Sequence, residues 1–566
     1  MKMKRNRLLG LILLGLTVIS GQGCKESVQT PELGESPRIV NIINFVRQTE
    51  PRPVNISDDD LYQTTAAQLE LMKKYNLRGT FLLQYDALIN PRYQELMREA
   101  IAAGCEVGGW WEITQPHVEA AGMKWRGEYP WDWHANVGFS TGYTTQEREV
   151  LVDTYMSKFK EIFGTYPTAV GSWFIDAHTL QYMADHYPVI ASCNCRDQVG
   201  TDGYTLWGGY WNQAYYPSKV NAYMPAQTKE GQIDIPIFRM LGSDPINQYD
   251  SRIGEPVQGV ETLEPVYIEG GGNPEWIDWF FDMLISGPCL AFQYTQVGQE
   301  NSFTWPAMKQ GLEYQIPLVD SLSKAGAIDV LTLSEAGKWF KENYPLTPAT
   351  SVVALEDIKP AGRKSVWFDS RFYRANLVWE DSTLRFRDIH MFDERMESPY
   401  VKYQGTSTQC LYKTLPVVDG FNWSTASQVA GLRLVRMEGD SLIPVLVGAP
   451  QVEQTAQGEL TTVTPILEGG TCRIVFNEDS IRISLSDLAS EATQYGFVLS
   501  ASKDKQVTLP FTGVDSTSVR ARVKKVDYRI DCLAGIADQA DLSWDRLITF
   551  VPDSAGRLVL DMSKRE

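Results

Sequence analysis

The stretch Leu71-Met-Lys-Lys-Tyr-Asn-Leu-Arg-Gly-Thr-Phe81 joins the end of an amphipathic helix to the start of a β-type run. Leu69, Met72 and Tyr75 recur at helical spacing and form an apolar stripe. Past Gly79 the residues become Thr, Phe and Leu, the composition of a half-buried or buried strand. A helix feeding directly into a strand is part of an alternating α/β layer, and the alternation continues on both sides.

Eight β-type runs are expected: Ile39–Val46, Gly79–Gln84, Glu106–Ile113, Ala169–Ile175, Val189–Asn194, Ile235–Arg239, Cys289–Tyr294 and Ile328–Leu333. Most are separated by helices. The clearest helix follows Thr144, which forms a capping box with Glu147, and Gly164 ends it. Val152, Tyr155, Met156, Phe159, Ile162 and Phe163 line one face, and Trp276, Trp279, Phe280 and Met283 do so in a later helix. These are core stripes. Asp58-Asp59-Asp60 precedes a helix, where the dipole favours negative charge. The expected fold class is α/β: a (β/α)7-8 barrel over 38–345, a linker over 346–364, and a C-terminal β-sandwich over 365–566. In that last region short β-type runs alternate with polar turns and no long helix intervenes.

The chain begins with Lys2, Lys4, Arg5 and Arg7, followed by an apolar stretch from Leu8 to Ile19. That is too short for a permanent membrane span and has the form of a signal peptide, residues 1–23. Small residues precede Cys24, which resembles a lipoprotein processing site, although Gly21 replaces the usual Leu. Cys24 is the expected lipidation site and 24–37 a tether. This implies an exported lipoprotein of the cell envelope, on the outer membrane, with the membrane as a partner through its lipid. The net charge of −18 argues against a nucleic-acid partner. Seven further cysteines at irregular spacing do not form a disulfide framework.

In such a barrel the site lies in the loops after the strands. Candidates after the first run are Asn44, Arg47, Glu50 and Arg52, and after the second Gln84 and Asp86. Gln296, Gln299 and Glu300 follow the seventh. Of 16 tryptophans, half fall between Trp110 and Trp211, in loops beside Asn, Asp, Gly and His. Flat faces mixed with hydrogen-bonding groups suit sugar rings, so the expected partner is a glycan or oligosaccharide. Asp132-Trp-His134 and Asp176-Ala-His178 each bring a carboxylate and an imidazole to one side of an extended segment. Glu112, between Trp111 and Ile113, has the apolar setting of a general acid. The acid–base candidates are Asp132, His134, Glu112 and Asp176. The candidate sugar contacts are Trp110, Trp111, Trp133, His178, Trp207, Tyr210, Trp211, Asn212, Arg239 and Asp244. Arg47, Arg126, Arg196 and Arg239 are available to a sugar carboxylate, but no motif chooses among them.

The segment Leu71–Phe81, the helix after it and Ala103-Gly-Cys-Glu-Val-Gly-Gly109 resemble the polysaccharide-deacetylase-like barrels of the glycoside hydrolase/deacetylase superfamily. The resemblance covers about residues 38–300 and implies a barrel acting on carbohydrate. The metal motif of that family does not carry over. Asn44-Phe-Val46 stands where its deacetylases have paired aspartates, and His117 alone lies where two histidines are needed. No metal and no cofactor are therefore expected. The leading expectation is a glycoside hydrolase. The alternatives are an atypical polysaccharide deacetylase or metal-dependent hydrolase using Asp132, His134, Asp176 and His178, and a non-catalytic glycan-binding lipoprotein.

Overall fold

The computed structural model describes residues 36–563, except 53, 202, 440, 456–457, 490–493, 505–506 and 539–545. The signal peptide, Cys24 and nearly all of the tether lie outside the described residues.

Seven parallel strands form the barrel wall: β1 (Arg38–Val46), β2 (Thr80–Leu83), β3 (Glu106–Trp110), β4 (Ala169–Gly171), β5 (Ala191–Asn194), β6 (Ile237–Arg239) and β7 (Gln293–Val297). They are ordered β7-β1-β2-β3-β4-β5-β6. An eighth strand, β8 (Asp329–Leu331), pairs with the N-terminal half of β1, whose C-terminal half pairs with β2. The wall is nearly closed. Between β6 and β7 side chains carry the contact: Gln213 Nε2 donates to Gln293 Oε1 at 3.1 Å, and Leu241 N to Gln296 Oε1 at 3.0 Å.

Strand β1 is buried on both faces, as a parallel strand under helices must be. Ile39, Ile43 and Phe45 point into the barrel with Leu82, Trp110 and Phe238, while Val40, Ile42 and Val46 meet the outer helices. Phe45 stacks on Trp110 with ring centroids 4.3 Å apart, and Trp110 meets Trp173 edge-on at 5.4 Å. These rings fill the interior, so the barrel is solid below its mouth.

Helices α1 (Asp58–Lys74), α2 (Pro91–Ala102), α3 (Thr145–Phe163), α4 (Ala177–His186), α5 (Pro274–Ser286), α6 (Trp305–Lys324) and α7 (Leu333–Asn343) accompany the strands. The capping box expected at Thr144 and Glu147 is formed, and Gly164 closes α3 in the left-handed conformation at φ 81°. The three aspartates at 58–60 occupy the first turn of α1, where Asp60 completes a second capping box with Ser57.

Among the described residues, the C-terminal region is a sandwich of two antiparallel sheets, one of ten strands and one of eight. Phe368 and Phe386 of the first meet Phe476 of the second. Residues 346–364, expected as a linker, contain the strand Thr350–Ala354, which pairs along its whole length with Lys364–Asp369. The proline-containing composition there marks a change of domain, but Val352, Val353 and Ala354 are buried and belong to the second core or its seam.

The two halves share a buried seam. Tyr204–Trp207 pairs in parallel with Cys410–Lys413. Asp197 accepts from Arg239 of the barrel at 2.8 Å and from Arg374 of the sandwich, and Arg374 also holds Asp388 at 2.9 Å. Gly208 (φ 85°) sits where a Cβ would strike Thr414 and His390, so only glycine permits this approach.

Candidate active site

Six of the strand ends contribute a side chain to one cavity at the C-terminal mouth. Arg47 comes from the end of β1, Glu112 from β3, Trp173 from β4, Arg196 from β5, Leu241 from β6 and Glu300 from β7. The remaining wall comes from longer connections: Arg52, Trp131, Trp133, Phe139, Gln198, Tyr204, Val260, Glu264, Tyr267 and Phe303. The space is about 590 Å³ with its open mouth and the adjoining solvent included.

Arg47 organises one side. Its Nε and Nη2 grip both oxygens of Glu112 at 3.2 and 3.0 Å, and its Nη1 reaches Glu300 Oε1 at 3.0 Å. The guanidinium also lies over the Trp131 ring. Gln84 donates a further bond to Glu112, so that carboxylate is fully engaged. Glu300 is different. Burial pushes its pKa up to about 7; Arg47 opposes the rise and Glu112 adds to it. Its Oε1 accepts from Ser302 and Arg47, while the buried Oε2 has no hydrogen-bond partner among the described residues.

Glu264 stands beside Glu300 through a shared amide. Gln299 donates from Nε2 to Glu264 Oε1 at 2.7 Å and accepts at Oε1 from Glu300 N at 2.7 Å. Thr262 Oγ1 donates to the other oxygen of Glu264 at 2.7 Å. A carboxyl with a raised pKa and a second carboxylate therefore line the same aromatic-walled cavity.

Of the four acid–base candidates from the sequence, the structure brings only Glu112 onto the cavity wall. Asp132 lies between the two lining residues Trp131 and Trp133, but its carboxylate turns back to accept from Glu128 N at 3.0 Å and His134 Nδ1 at 2.6 Å. Burial raises its pKa, yet these bonds outweigh that and hold it below the usual carboxylate range. His134 completes this loop clasp with its side chain 43% exposed. Asp176 is elsewhere. Strand β4 ends at Gly171, not Ile175, and Asp176 instead caps α4 through Thr179 N at 2.9 Å. It is fully buried against Ser140 and Arg148. His178 faces Glu149 on the outer helices.

Among the sugar-contact candidates, Trp133 lines the cavity. Trp110 lies beneath it in the barrel interior, and Trp111 packs outward against His117 and Tyr155. His117 itself stacks on Tyr85, and burial pushes its pKa down to about 4. Trp207, Tyr210 and Trp211 are spent on the seam. Trp207 donates to Asp419, Tyr210 to the Pro348 carbonyl, and Trp211 stacks on Trp367. Arg239 is held by Asp197 in the same seam. Asn212 donates to the Ser243 carbonyl, and Asp244 accepts from Ile246 N, Asn247 N and Trp276 Nε1. Trp131, Trp133 and Trp173 line the cavity, whereas the 207–211 loop is covered by the sandwich.

The donor set does not fit a divalent cation. Asn44, where the deacetylase motif has aspartate, turns its amide toward Met72 Sδ. The Arg47 guanidinium already bridges the two carboxylates that would attract a metal. Among the described residues no three His, Cys, Asp or Glu side chains converge.

No family model and no curated protein matches this chain. Solved structures do. A predicted glycoside hydrolase/deacetylase from Parabacteroides distasonis aligns with a TM-score of 0.50 and 14% identity, over 67% of this chain and 91% of that one. Predicted polysaccharide deacetylases from Mycobacterium smegmatis (TM-score 0.36, 12% identity, 56% and 94% covered) and Pseudomonas aeruginosa PAO1 (0.34, 14%, 55% and 93%) also align. At 14% identity the likeness to the first of these is one of fold alone.

Proposed function

We propose that this chain is a glycoside hydrolase, with Glu300 as proton donor and Glu264 as the second carboxylate. The observation that carries the reading is the pKa of Glu300, about 7, in a cavity walled by Trp131, Trp133, Trp173, Tyr204 and Tyr267. A carboxyl protonated near neutrality can give its proton to the leaving glycosidic oxygen as the bond to the anomeric carbon breaks. Glu264 either takes a proton from the attacking water or attacks the anomeric carbon itself. Glu112 holds Arg47, whose positive charge limits how far the Glu300 pKa rises. Asp132 positions the Trp131–Trp133 loop. The barrel fold shared with a predicted glycoside hydrolase/deacetylase agrees with a carbohydrate substrate.

The test is release of reducing sugar from a panel of polysaccharides and glycoconjugates, with acetate release measured in parallel. Sugar release that drops at least a hundredfold in Glu300→Gln and Glu264→Gln is the expected result. Acetate release would favour the deacetylase alternative, and binding without any product would favour the glycan-binding one. We place the activity outside the cytoplasm, on an outer-membrane lipoprotein anchored through Cys24. Fatty-acid labelling of the wild type that is lost in Cys24→Ser tests the anchor.

A further inference from the structure

We infer that the substrate carries a carboxylate and that Arg196 receives it. This deepens the proposed hydrolase reading and rests on the same cavity.

Four arginines were available to a sugar carboxylate, and the fold sorts them. Arg47 is taken by Glu112 and Glu300. Arg239 is taken by Asp197 in the seam. Arg126 lies over the Tyr143 ring and donates to the Gly142 carbonyl, off the cavity wall. Arg196 lines the cavity, is only 1% exposed, and forms no ion pair with any described residue. Its Nη1 donates to the Asp197 carbonyl at 2.6 Å, and its buried Nε has no hydrogen-bond partner among the described residues. The neighbouring carboxylate of Asp197 is held by Arg239 and Arg374, so it does not neutralise Arg196.

Burying a guanidinium without a counter-ion is costly, and such a group is retained where an anion will meet it. Its planar fork of donors matches a carboxylate in two-point contact. Among the lining arginines, Arg47 is paired with Glu112 and Glu300, and Arg52 with Glu50 at 2.6 Å, which leaves Arg196 as the one that forms no ion pair with a described residue. The wall beside Arg196 includes Gln198, Trp173 and Tyr204, which offer an amide and flat faces to a sugar ring.

Binding calorimetry tests this without requiring turnover. The probes are the methyl glycosides of glucuronic, galacturonic and N-acetylneuraminic acid, each against its own methyl ester, which keeps the shape and removes the charge. At least one acid should bind ten-fold or more tightly than its ester. Arg196→Gln should bring that acid down to the affinity of the ester while the ester is unaffected, and Arg196→Lys should restore part of the difference. Ester binding by Arg196→Gln also reports that the cavity is intact. Equal affinity for every acid and ester, no binding of any acid, or equal losses for both in Arg196→Gln would overturn the inference. Selective acid binding with no hydrolysis of any glycoside would keep the inference and sink the hydrolase reading.

Discussion

The guanidinium carbon of Arg47 lies 4.0 Å from the ring centroid of Trp131, while its nitrogens hold Glu112 and Glu300. One buried cation thus ties the ends of β1, β3 and β7 to the long connection that carries the cavity's indoles. Replacing Arg47 with Met leaves two carboxylates buried without their counter-charge. The expected loss is about 3–5 kcal/mol of stability by chemical denaturation. Arg47→Lys keeps the charge but loses the two-point grip, and should fall between.

The hydrolase reading makes the rate depend on the proton of Glu300. Activity should fall as pH rises through about 7, because the donor ionises there. In Glu300→Gln this alkaline limb should vanish along with most of the rate. An unchanged limb in the variant assigns the proton to another group.

Stability should follow pH with a definite sign. Glu300 titrates at about 7 in the fold against 4.5 for the free side chain, and Asp86 at about 7 against 3.8, both chiefly through burial. Between those limits the folded state holds more protons than the unfolded one, so the stability they contribute is complete below about 4 and lost as pH rises to about 7. For Glu300 the change is at most roughly 3 kcal/mol. Urea midpoints at pH 4.5 and 7.5, compared between wild type, Glu300→Gln and Asp86→Asn, measure it; a variant that leaves the slope untouched removes its group from the account.

Asp176 should behave as scaffold. Its carboxylate ties α4 to Arg148 at 2.9 Å and to Ser140 at 2.6 Å, all fully buried. Asp176→Ala should destabilise by about 3–5 kcal/mol, leaving kcat and KM of the folded fraction unchanged. A loss of kcat at full folding would return it to the chemistry.

Two tryptophans should separate packing from binding. Trp211 stacks on Trp367 at 3.7 Å with the rings nearly parallel, so Trp211→Ala should cost about 3–5 kcal/mol with little effect on KM. Trp133 stands on the cavity wall beside Arg52, so Trp133→Ala should raise KM by roughly two- to tenfold, the scale of one ring contact, with a small change in stability. Thermal melts and kinetics on both variants distinguish the roles.

The sequence by itself determined the alternation of strands and helices, the capping of α3 at Thr144, the acidic first turn of α1 and the change to antiparallel strands in the second half. These follow from local rules of periodicity, caps and turns, which act within a few residues. It also named Glu112, at the end of the third run, and Trp133, in a long connection, among the candidates for the mouth. Tertiary structure alone decided which loop residues share the cavity. Strand β4 ends four residues before Ile175, which turns Asp176 into a cap, and β7 runs on to Val297, which brings Glu300 to the rim. The sandwich side claims Trp207, Tyr210 and Trp211, because their partners Asp419, Pro348 and Trp367 lie beyond the barrel, while Arg239 is held by Asp197 of the barrel, which Arg374 of the sandwich also pairs. Burial and pairing set the charge of Glu300 and leave Arg196 without a counter-ion among the described residues, and neither property can be read from residues adjacent in the chain.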